Sequence, residues 1–322
     1  MDNKRVLGHS ELAVVPIIFG GNVLGWTLDE NQSFQILDQF IDLGFNAIDT
    51  ANNYSHWVPG HIGGESETII GKWLQKTNKR DQIILATKVG GRFDYQSKPN
   101  VRASYLLEQV EHSLKRLQTD YIDLYQTHYD DEETPIDETL KAYEQLIQQG
   151  KVRYIGASNI GKERLQESLT IANAQQLPKY SSLQPEYNLF DRAHYETQYL
   201  AIAQENQLGV IPYYALASGF LTGKYKSEAD FKQYTRGSGI EKRYWNDRGR
   251  RIIIALEEVA AGYHTSASAI ALAWLLAQPT ITAPIASATK ESHLAAFVAA
   301  LQVRLGEDAL GKLNEASQYD YN

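Results

Sequence analysis

The chain has 322 residues, 43% of them hydrophobic and 22% charged, an ordinary soluble composition with room for one large α/β barrel or two medium domains. Its net charge of −8, with no Lys/Arg-rich block, excludes the basic footprint of a nucleic-acid binder. With 0 cysteines, disulfides, thiolate metal sites and thiol nucleophiles are excluded together.

The first residues, MDNKRVLGHSELAV, lack the apolar stretch of a signal peptide, and no later run approaches a membrane span. A cytoplasmic protein is expected. KRVLGHSELAVV (4–15) reads as a hairpin able to plug the lower end of a barrel. Strand-like runs then recur: PIIFG (16–20), NAID (46–49), IILATK (83–88), YIDLYQTH (121–128), VRYIGAS (152–158), SSLQPEYN (181–188), GVIPYY (209–214) and ITAPIA (281–286). Amphipathic stretches such as 30–44, 102–118 and 137–150 lie between them, two stopped by Gly44 and Gly150; the helix at 266–279 is stopped by Pro279. The runs are short and nearly continuously apolar, as in a parallel sheet covered on both faces. Eight strand–helix alternations predict an α/β fold, a (β/α)8 TIM barrel forming a single domain over 1–322. Residues 221–250, after the seventh strand, are polar and read as a long functional loop.

Active sites of such barrels lie at the C-terminal ends of the strands. There the sequence places Asp49, Lys88, His128, Ser158, Asn159, Gln184, Tyr213 and Tyr214, with Tyr54 on the loop just after Asp49. Asp49, Lys88 and His128 end adjacent strands and point to one mouth. A free phenol titrates near 10, poorly matched to acid–base work at neutrality. A lysine about 4 Å away, at an effective dielectric near 20, favours phenolate by roughly 4 kcal/mol, or about three pKa units, with Asp49 orienting the ammonium and offsetting part of its charge. Lys88 as a Schiff-base lysine is an alternative, opposed by Asp49, which would hold it protonated. HYDDEE (128–133) lacks interleaved metal-ligand spacing and reads as a solvated loop, so no metal is expected. GGNVLG (20–25) follows a strand but has the wrong spacing for a dinucleotide fingerprint.

Taken in order, IDTANNYS, GGESETIIGKWL (63–74), LATKVG (85–90), YIDLYQTHYDD (121–131), YIGASN (154–159), LQPEYNL (183–189), IPYYALASGFLTGKY (211–225) and PIASATKESHL (284–294) resemble the aldo-keto reductases, and among them longer-chain bacterial members. The resemblance runs from about residue 5 to about 315 and implies an NADPH-dependent reductase of aldehydes or ketones on a (β/α)8 barrel. It implies that Tyr54 is the general acid, Lys88 paired with Asp49 lowers its pKa, and His128 orients the carbonyl. It also implies that Ser158, Asn159 and Gln184 hold the nicotinamide carboxamide and that Tyr213 stacks on the ring. Leu216, Ser218, Gly219, Leu221, Gly223 and Lys224 would wrap the pyrophosphate, and Ser287, Thr289, Lys290 and His293 the adenosine phosphate. The family often has Arg where Lys290 stands, Gln for His293 and Asn for Phe297. Lys290 still neutralises a 2′-phosphate as a point charge, so NADP(H) is expected in preference to NAD(H).

Trp26, His56, Trp57, Tyr129, Tyr214 and Trp245 are the candidates for a wall around a small-molecule carbonyl substrate. A second reading from another class is a nicotinamide-bound regulatory or redox-sensing protein with slow turnover, since the β-subunits of potassium channels resemble the same family.

Overall fold

The structure is a computed structural model and describes residues 4–94, 97–234 and 237–319. Strands β1 (Arg5–Val6) and β2 (Ala13–Val14) form an antiparallel hairpin. Eight parallel strands follow: β3 (Ile18–Gly20), β4 (Ala47–Asp49), β5 (Ile84–Val89), β6 (Ile122–Thr127), β7 (Val152–Ser158), β8 (Ser182–Gln184), β9 (Gly209–Val210) and β10 (Ile285–Ala286). They pair in the order β10-β3-β4-β5-β6-β7-β8-β9. The segment entering β10 completes the ring, because Ile281 bridges Val210 and Ile285 N donates to Pro212 O at 2.9 Å. On its other side Ile18 N donates to Pro284 O at 3.0 Å. This is the (β/α)8 barrel.

The last three strands are shorter than 181–188, 209–214 and 281–286, and proline explains each. β8 stops before Pro185, β9 stops two residues before Pro212, and β10 starts only after Pro284. A proline has no N–H to give to the ladder.

Helices α1 (Glu30–Asp42), α2 (Glu65–Thr77), α3 (Ala103–Leu117), α4 (Ile136–Gln148) and α5 (Lys162–Gln175) follow β3 to β7 in turn. α6 (Ala193–Gln198) and α7 (Leu200–Glu205) follow β8. Asp29 caps α1 in a reciprocal box with Gln32. Gly44 and Gly150 follow α1 and α4 at φ 88° and 72°, the helix stops that the sequence implied.

After β9 the segment is more helical than the sequence predicted. It holds α8 (Glu228–Phe231) and α9 (Gly237–Tyr244), and α10 (Asp247–Gly262) begins within it. The helices are short and broken, which hides their period, and aromatic pairs hold them: Tyr225 stacks on Phe231 at 4.4 Å and Phe220 on Tyr244 at 5.4 Å. α11 (Ala267–Leu276), α12 (Glu291–Gln302) and α13 (Glu307–Ala316) complete the chain. Among the described residues no single helix is long and apolar enough to cross a membrane.

The barrel interior explains where the polar site begins. Ile18, Ala47, Ala86, Leu124, Ile211, Ala283 and Ile285 cluster inside it with Leu7, Leu12 and Val14 of the hairpin. The hairpin is therefore the plug at the N-terminal end. Asn46 pins it, accepting from Val15 N at 2.8 Å and donating to Ala13 O at 2.9 Å. Gly8, at φ 57°, has to be glycine: a Cβ there would lie 2.0 Å from Ser181 O. Two residues further along β4 and β6 from Ala47 and Leu124, the same inward face carries Asp49 and Gln126. The interior thus changes from apolar to polar within one step of the pleat.

Candidate active site

Lys88, fully buried on β5, is the hub of the polar layer. Its Nζ donates to Asp49 Oδ2 at 2.6 Å, to Thr50 O at 2.9 Å and to Tyr54 Oη at 2.8 Å, which uses all three ammonium protons. Asp49 Oδ1 accepts from Gln126 Nε2 at 2.9 Å and Gln184 Nε2 at 3.0 Å. The carboxylate is buried but solvated on both oxygens by protein donors. Because the Tyr54 oxygen accepts from Lys88, its own proton is directed elsewhere.

Two further features hold the neighbouring rings. The His128 ring lies edge-on to Tyr54 at 6.0 Å between centroids. It sits against Gly91, where a Cβ would come within 2.6 Å of Nδ1, so the absent side chain makes the room. Asn159 Nδ2 donates to His128 O at 2.9 Å and Ser158 Oγ at 3.0 Å, while its Oδ1 accepts from Tyr213 Oη at 3.1 Å. One amide thereby ties the ends of β6 and β7 to the residues beyond β9.

Dense surroundings set the protonation states. Burial holds the Tyr54 phenol well above its ordinary value, and the charge of Asp49 adds to this, followed by Tyr214 and Tyr129. Lys88 is held below its ordinary value by burial, against the opposing pull of Asp49. The expected lowering of Tyr54 is therefore corrected. The sequence argument counted the field of the lysine, offset in part by Asp49, and omitted the desolvation of phenolate, which is the larger effect. Tyr54 is therefore a neutral phenol over the whole neutral range, hydrogen-bonded to Lys88.

His128 is held well below its ordinary value, first by burial, then by the charges of Lys88 and His56. Its contribution to stability has a definite sign. Above about pH 6.5 folded and unfolded chains both carry it neutral; below that the unfolded chain takes up a proton that the folded chain refuses. Stability should fall as pH drops from about 6.5, by up to about 1.4 kcal/mol per pH unit from this residue. Urea melts between pH 5 and 8 check it: His128→Gln should lose that part of the slope, and an unchanged slope would disprove it.

The candidate wall is partly assembled. Trp26 meets Trp57 edge-on at 5.4 Å, Trp57 meets Tyr54 at 6.0 Å and His56 at 5.2 Å, and Tyr129 lies 4.9 Å from His128. Trp57, Tyr129 and Tyr214 are 38%, 39% and 44% exposed, which is unusual for rings gathered in one place. Tyr214 adopts φ 54°, and Ser55, Asn159, Ala217 and Ser218 are also left-handed around the mouth. Such backbone strain in non-glycine residues gathers where function demands it. Trp245 does not join this group; it packs against Phe231 at 5.2 Å within the segment after β9.

Among the residues matched to a cofactor, Gly219 has φ 98°, and a Cβ there would come 3.6 Å from Lys224 Nζ. His293 is held below its ordinary value by burial, then by the charges of Lys290 and Lys224. Ser287 Oγ is 2.8 Å from Gly20 O and 2.6 Å from Asn22 Oδ1. Thr289 N donates to His293 Nδ1 at 3.2 Å. Leu221 and Phe297 are core residues, Leu221 with no exposure and Phe297 edge-on to Phe45. Leu216 packs partly buried on the same core, and Gly223 turns at φ 73°. Two acids of HYDDEE have structural partners: Asp130 pairs with Arg164 at 2.6 Å, and Asp131 accepts from Val101 N and Thr134.

Gln126, Gly91 and Gly156 escaped the sequence reading. Gln126 could have been found from the pleat, since a polar residue at an inward-facing position is itself a signal.

A strand-end Asp–Lys–Tyr chain with an adjacent histidine thus closes a plugged eight-stranded barrel, and the wider sequence comparison says to which class of protein it belongs. The profile of the aldo/keto reductase family matches residues 16–318. The chain is 35% identical over 316 residues to the uncharacterized oxidoreductase YrpG of Bacillus subtilis, covering 96% of this chain and 94% of that one. It is 34% identical over 313 residues to the aldo-keto reductase YhdN of the same species, covering 94% and 86%. It is 30% identical over 303 residues to a probable voltage-gated potassium channel subunit beta of Oryza sativa subsp. japonica, covering 92% and 90%. The chain belongs to the aldo/keto reductase family.

Proposed function

We propose that the protein is an NADPH-dependent oxidoreductase that reduces an aldehyde or ketone to an alcohol, within one barrel domain. The observation that carries this reading is the Lys88 ammonium, 2.8 Å from Tyr54 Oη and 2.6 Å from Asp49 Oδ2. Tyr54 is the general acid: it stays protonated at neutral pH and gives its proton to the carbonyl oxygen. Lys88, already hydrogen-bonded to that phenol, stabilises the negative charge that develops on Tyr54 as the proton leaves. Asp49 keeps Lys88 charged in spite of its burial. His128, neutral, donates a hydrogen bond that orients the same carbonyl oxygen. NADPH, when bound, supplies the hydride for the carbonyl carbon.

The residues fit such a cofactor. Gln184 turns its Nε2 inward, leaving Oε1 for the carboxamide, together with Ser158 and Asn159. Tyr213 offers its ring to the nicotinamide. The left-handed run Ala217–Ser218–Gly219 beneath Lys224 forms a cationic cradle for pyrophosphate, and Lys290 with His293 and Thr289 suits a 2′-phosphate. The exposed rings of Trp57, Tyr129 and Tyr214 favour a flat substrate and aldehydes over ketones.

Fluorescence titration of NADPH and NADH, with wild type and Lys290→Ala, tests the cofactor assignment. A lost charge-assisted contact of about 1.5–3 kcal/mol should weaken NADPH roughly 10- to 150-fold and leave NADH within about twofold. Equal losses for both would remove Lys290 from the 2′-phosphate. Absence of nicotinamide binding to wild type would overturn the whole reading.

A further inference from the structure

We propose that Gln126 is a positioning residue that braces Asp49 and the Gln184 amide, which also meet directly at 3.0 Å, so that one side chain holds both the support of the proton donor and the group meant for the nicotinamide. This deepens the reductase reading and rests on it. Gln126 is fully buried, on the inward face of β6, two residues beyond Leu124. An amide placed there without partners would be costly to bury, and its two ends are both used. Nε2 donates to Asp49 Oδ1 at 2.9 Å, and Oε1 accepts from Gln184 Nε2 at 3.0 Å.

β6 and β8 are not neighbours; β7 runs between them. The residue of β7 that faces Gln126 in register is Gly156. A Cβ on Gly156 would stand 3.0 Å from Gln126 Cγ and 2.3 Å from Ser182 Oγ. Its missing side chain is the passage through which the two glutamines meet. Asp49, Gln126 and Gln184 also come from alternate strands, as side chains of one barrel layer do. The top layer of this barrel is thus a hydrogen-bonded polar ring in place of packed aliphatics.

The chemical consequence lies in how Asp49 shares its charge. Two amide donors on Oδ1 draw electron density away from Oδ2, which holds Lys88. With one of them removed, Oδ2 binds the ammonium more tightly and Lys88 supports Tyr54 less. Asp49, Tyr214 and Tyr129 act on Tyr54, His128 lies beside it, and Glu67 of α2 acts on Lys88. All of these remain in place in the variants below.

Gln126→Leu removes both contacts, and Gln126→Glu keeps the shape. For Gln126→Leu, kcat with a benzaldehyde should fall tenfold or more, and the high-pH limb of kcat/KM should move upward. NADPH should bind about tenfold more weakly, while 2′-phospho-ADP-ribose, which lacks the nicotinamide, binds as before. These changes correspond to one hydrogen bond to a charged group or a buried amide. The carboxyl group introduced by Gln126→Glu, beside Asp49, is driven to stay protonated and can still donate. The kcat/KM of this variant should fall with rising pH in a range where wild type is flat, a signature that a damaged fold would not give. Equal losses in both variants, with unshifted pH profiles and an unchanged ratio of the two affinities, would overturn the proposal. Should wild type bind no NADPH, the reductase reading fails on its own. The ¹⁵N NMR titration of the Lys88 ammonium then decides the Gln126 claim: a rise in Gln126→Leu supports it and an unmoved midpoint overturns it.

Discussion

Tyr54→Phe should reduce aldehydes about 10²- to 10⁴-fold more slowly than wild type, the range expected for loss of a general acid, and should bind NADPH within about twofold. In the proposed mechanism the phenol beside Lys88 gives its proton to the carbonyl, and phenylalanine keeps the ring contacts with Trp57 and His128. The substitution leaves one Lys88 proton without its acceptor, which costs about 1–3 kcal/mol of stability. That cost is measurable by denaturant melts and separates a folding defect from a chemical one. Steady-state NADPH consumption with an aldehyde in excess is the assay, because it also tests the rival reading. A nicotinamide-bound sensor would consume about one equivalent per bound cofactor and then stop, in wild type and variant alike. A Tyr54→Phe protein that kept more than a tenth of wild-type turnover would remove Tyr54 from the mechanism, leaving His128 as the donor to examine next.

How far the chain could be read depended on what a linear pattern can encode. Asp49, Lys88 and His128 were legible because each closes an apolar run, and the barrel rule turns three strand ends into one place. The ends of β8, β9 and β10 were less legible, although Pro185, Pro212 and Pro284 stand in the sequence; the apolar runs continue through them while the ladder cannot. Residues 221–250 looked like a loop because α8 and α9 are held by Tyr225–Phe231 and Phe220–Tyr244 stacking, with no single amphipathic period. Gly91 and Gly156 were invisible as site residues, since a glycine's purpose there is the space it leaves for His128 and Gln126. The direction of the Tyr54 shift was misjudged for a related reason. A charge can be placed from sequence, whereas desolvation depends on everything packed around it.

The same balance of burial and charge gives the largest expected effect on stability. Lys88→Met should destabilise the protein by about 3–5 kcal/mol, the usual result of leaving one charge of a buried pair uncompensated. Asp49 is 1% exposed, so water cannot replace the ammonium 2.6 Å away. The Gln126 and Gln184 amides continue to donate to Oδ1, but Oδ2 is left with no cation. Turnover should fall by at least about 10²- to 10³-fold, as when a preorganised transition-state donor is removed. Neutralising the partner should recover part of the fold and none of the chemistry. Lys88→Met/Asp49→Asn should therefore be more stable than Lys88→Met, by an amount that a double-mutant cycle reports as the coupling of the pair. Its turnover should remain as low as that of the single variant, because Tyr54 has no cation in either protein. Urea midpoints give the first comparison and NADPH-coupled turnover the second. Equal stability of the single and double variants would mean that the two amides alone satisfy Asp49, and recovery of turnover in the double variant would mean that Lys88 acts only by answering Asp49.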